Sequence, residues 1–234
     1  MPVITSDTSP IRALQHLGLL DLLRVLYVDI WLPPAVVHEL TGEAVHAMTH
    51  QSALVLVPPR EVWEPIQAIR RVHDRQVRRW MPHVTVLYPF LARDELAGAA
   101  IAAAEALGGV TPFEVVLARF EVFRHRGGTF TVWLAPEPKE LLVALHAALL
   151  RRFPACDATT TFARGFTPHL SVGQAHGEEQ LRALQRELEG WKPLAFQVRH
   201  LSMIVRDPPP QDVFRTFVEV PLGSGGPPRA PSIA

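Results

Sequence analysis

The chain has a single cysteine, no excess of charge of either sign and no long apolar run. Each scarcity removes a class of protein. Cys156 alone cannot close an internal disulfide, and no obvious partner for a nucleophile stands near it, so it reads as an ordinary residue. No segment reaches the roughly 20 apolar residues that a membrane-spanning helix needs. The N-terminus also lacks the basic, apolar and small-residue order of a secretory signal, and a cytoplasmic protein is expected. The 23 Lys+Arg against 23 Asp+Glu leave a formal net charge of +0. A protein that held long duplex nucleic acid through its phosphates would be more basic, so a small ligand or a strand end fits better. What remains is a chain of 234 residues, 48% hydrophobic and 20% charged. That is enough to bury a substantial core in one domain, or in a domain with an appendage.

What is present is a pentapeptide pattern written twice: Pro82-His83-Val84-Thr85-Val86 and Pro168-His169-Leu170-Ser171-Val172. In an extended strand residues i and i+2 point to one face, so each copy presents an imidazole and a hydroxyl side by side. Brought together, the copies supply two histidines and two hydroxyls, a set suited to in-line displacement at phosphorus. One imidazole takes a proton from the attacking oxygen while the other gives one to the leaving oxygen, and the hydroxyls donate to the phosphoryl oxygens. Chance alone produces about one His-x-Ser/Thr match in a chain with this many histidines. Two further matches exist, His50-Gln51-Ser52 and His200-Leu201-Ser202, but neither has the preceding proline. Only the matched pair also carries an aromatic residue two positions before its proline, Trp80 and Phe166.

On these residues the run from about Ser52 to Leu222 resembles the two-histidine (2H) phosphoesterase superfamily, in particular its LigT-like branch of 2'-5' RNA ligases and RNA 2',3'-cyclic phosphodiesterases. Ser52 to Pro59 is similar to the family's opening strand, Ile66 to Asp74 to its first helix, and Met81 to Phe90 and Phe166 to Val172 to its two signatures. The resemblance implies a metal-independent, cofactor-free phosphodiesterase that opens 2',3'-cyclic phosphate ends of RNA or nucleotides, typically to a 2'-phosphate, with 2'-5' ligation as the reverse reaction. It implies catalytic roles for His83, Thr85, His169 and Ser171, with His83 as general acid and His169 as general base; the sequence alone does not fix that order. Near neutral pH one ring would be neutral and the other charged. Tyr88 is a candidate to stack on a base, although an aromatic leaving a strand is more often packing. Arg164 is a candidate phosphate contact, because the family often has a basic residue close to the cleft. Arg124 and Arg126, near a hairpin, are weaker ones. His73 and His125 read as surface residues, and a monomer is expected.

Residues 1–47 read differently. Val3-Ile4 followed by Ser6-Asp7-Thr8-Ser9-Pro10, then Pro34 to Glu39, resembles the front of a PIN-like nuclease domain, a family in which the positions matching Asp7 and Glu39 help bind a divalent metal. Two carboxylates without the rest of that domain make a poor metal site, and no metal is expected. Met48 lies directly ahead of the strand with which the phosphoesterase begins, so the segment reads as a fusion remnant or an upstream extension of the reading frame.

The pattern of elements in residues 48–222 predicts an α+β fold with two similar halves, each a sheet lobe with helices outside, facing across a cleft lined by the motif strands. Strands are expected at Ala53 to Val57, His83 to Tyr88, Phe113 to Phe123, Thr129 to Leu134, Phe196 to Val205 and Val213 to Val220. Helices are expected at Val62 to Val77, Arg93 to Leu107, Pro138 to Phe153 and Glu178 to Leu188. Residues 223–234, rich in Gly, Pro and Ser, are expected to be disordered. Besides a phosphoesterase, two functions fit parts of the chain: a nucleotide-binding module that holds a phosphate without turnover, and a toxin-antitoxin-type PIN-like nuclease fragment.

Overall fold

The computed structural model describes residues 48–159, 165–223 and 226–231, together with residues 3–4 and 30–31. The chain divides into two compact units, residues 1–47 and 48–234. In the first, β1 (Val3–Ile4) pairs in parallel with β2 (Ile30–Trp31).

The second unit is built from two four-stranded antiparallel sheets. A short pair, β3 (Met48–Thr49) and β6 (Phe90–Leu91), stands apart from both. Sheet one contains β4 (Ser52–Leu56), β5 (Val84–Leu87), β11 (His200–Arg206) and β12 (Phe214–Pro221) in the order β12-β11-β4-β5. Sheet two contains β7 (Phe113–His125), β8 (Thr129–Glu137), β9 (Leu170–His176) and β10 (Leu194–Val198) in the order β10-β7-β8-β9. Between strands run α1 (Trp63–His73), α2 (Leu96–Leu107), α3 (Lys139–Arg152) and α4 (Gly177–Glu187). This is the α+β, two-lobed arrangement expected from the sequence.

Local sequence explains the elements. β4 is a continuous apolar run, buried throughout and stopped by Pro58-Pro59. Its alternate residues serve two clusters: Leu54 and Leu56 enter the main core, while Ala53 and Val55 join Ile204 and Phe214 on the other face, with Trp80, Met81 and Tyr88 packed against them. In α2, Leu96, Ala99, Ala100, Ala103 and Leu107 recur at helical spacing and are buried. The β7–β8 hairpin turns through Gly127 and Gly128, whose φ values of 75° and 68° suit glycine.

The sequence reading needs three amendments. The strand expected from Phe196 to Val205 is two strands in different sheets, β10 and β11, separated at Arg199. No glycine or proline marks the point where the chain leaves one sheet for the other; the break falls at Arg199, just before His200. The helix expected to reach Val77 ends at His73, where the Asp74 carboxylate turns back to accept the backbone N–H of Gln76 and a bond from Arg70. The tail expected to be disordered is described at residues 226–231, where Arg229 forms an antiparallel bridge with Glu219 and exchanges two backbone hydrogen bonds with it. No helix among the described residues is long and apolar enough to cross a membrane.

Candidate active site

Each pentapeptide leads into an edge strand, β5 of sheet one and β9 of sheet two, and these two edges touch. The strand preceding each is antiparallel to it and joined to it through a helix: β4–α1–β5 in one lobe, β8–α3–β9 in the other. The helices cross over. α1 packs against β9 and α3 contacts β5, so each motif strand is backed in part by the helix of the opposite repeat.

Within each copy the imidazole is held in the same way. His83 Nδ1 donates to the carbonyl oxygen of Met81 at 2.7 Å, and His169 Nδ1 donates to that of Thr167 at 2.8 Å. A carbonyl only accepts, so Nδ1 carries the proton, and Nε2 of each neutral ring is left as the acceptor. His83, Thr85, His169 and Ser171 are partly exposed, while Val84, Val86, Leu170 and Val172 between and beyond them are buried. The expected i, i+2 pairing of imidazole and hydroxyl on one face therefore holds in both strands.

A β-bulge follows each hydroxyl. Thr85 pairs with Val55 and Leu87 with Leu54, leaving Val86 as the extra residue; Ser171 pairs with Trp133 and Gly173 with Val132, leaving Val172. An extra residue bends its strand and re-aims the side chains beside it. The sequence reading did not contain this repeated irregularity, since a skipped valine looks like a paired one.

The rings around the histidines differ. Trp80 stacks on His83 with centroids 4.7 Å apart and in turn stacks on Phe214 at 3.7 Å. His169 meets Phe123 edge-on at 4.9 Å and Trp133 at 5.8 Å. The indole N–H of Trp133 is buried with no acceptor among the described residues. Phe123 and Trp133 were missed in the sequence. The available signal was a tryptophan in register with Thr129 and Thr131, the less buried side of β8.

Burial pushes the His83 pKa down to about 4, helped by the positive charge of Arg70 and by His169, and opposed by the bond to Met81 and by Asp74. Burial also lowers His169, against the bond to Thr167. The expectation of one neutral and one charged ring near neutral pH is thus corrected for the unliganded protein: both imidazoles are held neutral there, because both sit in walls of apolar and aromatic side chains.

Tyr88 donates to the backbone oxygen of His50 at 3.3 Å and touches the edge of Trp80 at 5.5 Å, one ring removed from His83. Arg164 lies outside the described residues, as do Asp7 and Glu39. Arg124 is paired with Glu178 at 2.6 Å, His73 with Glu187 at 2.8 Å, and His200 lies 3.6 Å from Glu219.

The two-lobed fold brings one His-x-Thr/Ser edge strand from each sheet into contact, and sequence comparison assigns the family. Residues 58–209 match the sequence model of the 2'-5' RNA ligase superfamily, and the chain belongs to that superfamily. Residues 3–73 match a PIN domain family, a match that runs on into α1 of the second unit. Among solved structures, a protein of Thermus thermophilus is 17% identical, with a TM-score of 0.50 over 74% of this chain and 99% of its own. LigT of E. coli, crystallised with 3'-AMP, is 16% identical, with a TM-score of 0.48 over 77% of this chain and 97% of its own. No curated protein matches the chain. Membership of this superfamily supports a phosphoesterase-type activity.

Proposed function

We propose that the protein is a metal-independent cyclic phosphodiesterase that opens the 2',3'-cyclic phosphate end of an RNA or a nucleotide, leaving a 2'-phosphate. The observation that carries this reading is the twin mounting of the histidines. Two imidazoles on two touching edge strands each have Nδ1 tied to the carbonyl two residues back and Nε2 left free.

In the proposed reaction water attacks phosphorus in line. His169 Nε2 takes the water proton as general base, and His83 Nε2 gives a proton to the departing 3'-oxygen as general acid, an order taken from the family's motifs. The P–O3' bond breaks as the P–O(water) bond forms. The hydroxyls of Thr85 and Ser171 donate to the nonbridging oxygens as charge builds on them. The low pKa values of the free protein suit such a site. A bound phosphate anion beside a buried imidazole favours its charged form, so the proton needed by the leaving oxygen is acquired together with the substrate. Run backwards with a ribose hydroxyl in place of water, the same steps join 2'-5' ends. Tyr88 is one ring away from His83 through Trp80, within reach of a base attached to the reacting sugar.

The test is turnover, in the presence of a chelator, of 2',3'-cyclic mononucleotides, RNA ending in a cyclic phosphate, and linear 2'-5' dinucleotides. Conversion of a cyclic substrate to a 2'-phosphate that disappears in His83→Ala and His169→Ala supports the reading. Tight binding without turnover of any of them would make the protein a nucleotide-binding module instead.

A further inference from the structure

We propose that the end of α1 is the joint that sets the spacing between the two imidazoles, with Arg70, Asp74 and Gln174 as positioning residues and Gly173 as its contact point. The inference rests on the reading of the histidine pair given above. It starts from an ion pair that stability does not explain. Arg70 and Asp74 form a 2.8 Å pair one helical turn apart, with side chains only 2% and 3% exposed. Taking two charges out of water is unfavourable enough that a well-packed apolar pair usually serves as well or better. Such a pair therefore calls for a reason in what else it holds.

On one side it holds the first motif. Arg70 Nη2 donates to the carbonyl oxygen of Trp80 at 2.9 Å. Trp80 is the residue whose ring stacks on His83, and the next carbonyl along, that of Met81, is the acceptor for His83 Nδ1. One guanidinium bond therefore fixes both the wall and the anchor of that imidazole. On the other side the pair holds the second motif strand. Asp74 Oδ1 accepts from Gln174 Nε2 at 3.2 Å, and Gln174 Oε1 accepts the backbone N–H of Arg75 at 3.1 Å. Gln174 lies in β9, three residues beyond Ser171. Beside it the backbones close up: a Cβ on Gly173 would stand 2.6 Å from Cβ of His73, a distance real Cβ atoms do not tolerate.

The first motif is thus tied to the second through α1 by three hydrogen-bonded side chains, Arg70, Asp74 and Gln174, and one glycine contact. In-line displacement needs both imidazoles at a fixed separation across phosphorus. A misplacement of about 1 Å in such a geometry costs on the order of a hundredfold in rate. At the second motif the corresponding aromatic residue is placed differently: where Trp80 lies against His83, Phe166 lies against His146 of α3, with ring centroids 4.0 Å apart.

Asp74→Ala would strand the Arg70 charge and can prevent folding, so the test uses the partly exposed Gln174 and the contact glycine, Gly173. Gln174→Met keeps length and volume and removes both hydrogen bonds. The joint predicts a fall in kcat of roughly ten- to a hundredfold with KM little changed and an unaltered melting temperature. Gly173→Ala should cost kcat at least as much, and His73→Gly in the same chain, at the last residue of α1, should restore part of it by removing the opposing Cβ. With inorganic phosphate as probe, the ring resonances of both His83 and His169 should shift together in the wild-type protein, and those of only one ring in Gln174→Met. Full kcat and concerted ring shifts in Gln174→Met, with His83→Ala inactive, would overturn the joint and leave the phosphodiesterase standing. Activity retained in both histidine variants would overturn that reading itself.

Discussion

The two motif strands share a backbone and differ in everything around it. Both have a buried proline before the histidine, an imidazole Nδ1 bonded to the carbonyl two residues earlier, a half-exposed hydroxyl two residues later and a bulge directly after that. The surroundings diverge. His83 lies face to face with an indole and within the field of the Arg70–Asp74 pair, whereas His169 is edged by Phe123 and Trp133. The repeated part ties Nδ1 of each ring to the backbone and leaves Nε2 as the acceptor. The unrepeated part surrounds chemically identical side chains differently, while burial lowers the proton affinity of both.

The largest expected effects test the shared part. His83→Ala and His169→Ala should each lower turnover by about a hundred- to ten-thousandfold, the usual cost of a positioned acid or base. The double variant should be little worse than either single one, because residues that act as a unit are not additive. His200→Ala and His50→Ala serve as controls, and damage to either equal to that of His83→Ala would mean that the wrong copies of His-x-Ser/Thr have been chosen. Next in size are the hydroxyls. Thr85→Val and Ser171→Ala each remove one donor to the phosphoryl oxygens, with an expected loss of about a hundredfold in kcat. Steady-state kinetics that left kcat intact in both would assign the hydroxyls to packing.

A smaller and more diagnostic effect comes from pH. Both imidazoles are held below their ordinary value in the free protein, His83 down to about 4. The bell of kcat/KM, which reports the free enzyme, should therefore lie on the acid side of pH 6.5. The bell of kcat, which reports the complex, should be displaced towards alkaline pH by the bound anion. Coincident bells centred near neutrality would contradict the buried, neutral pair. Stability follows the same sign. A histidine whose folded pKa is depressed contributes fully above its unfolded value of about 6.5 and loses that contribution as pH falls towards 4. Urea midpoints should drop over that window, and His83→Asn should flatten the drop.

How much of this could be read from the sequence depended on period. The i, i+2 alternation of His83 with Thr85 and of His169 with Ser171 was legible, as were the glycines of the β7–β8 turn and the Ala-rich helix α2, because each is a local rule written in adjacent residues. The bulges at Val86 and Val172 were not, since a valine that pairs and a valine that is skipped look alike. Arg70 was equally hidden. In the pattern of α1 it occupies a buried position four residues after Ile66, and its hydrogen bonds reach Trp80 in one direction and, through Asp74, Gln174 in the other. Contacts across that separation follow from topology alone. The exchange of helices between lobes, α1 to β9 and α3 to β5, belongs to the same class.

The smallest expected effect concerns the other comparison in the chain, that between residues 1–47 and the unit that follows. The four proposed catalytic residues, both sheets, the four helices and the positioning joint all belong to residues 48–234. A chain starting at Met48 should therefore fold and turn over a cyclic phosphate substrate within about twofold of the full chain, the range left by ordinary surface changes. Circular dichroism and steady-state kinetics on the two chains side by side provide the measurement. A folded truncation with collapsed kcat/KM would assign the first unit a part in substrate binding. A manganese-dependent nuclease activity of the full chain, absent from the truncation and from Asp7→Asn, would give that unit a chemistry of its own. The equality of the two chains under a chelator is the outcome that keeps the reaction with the two histidines of residues 48–234.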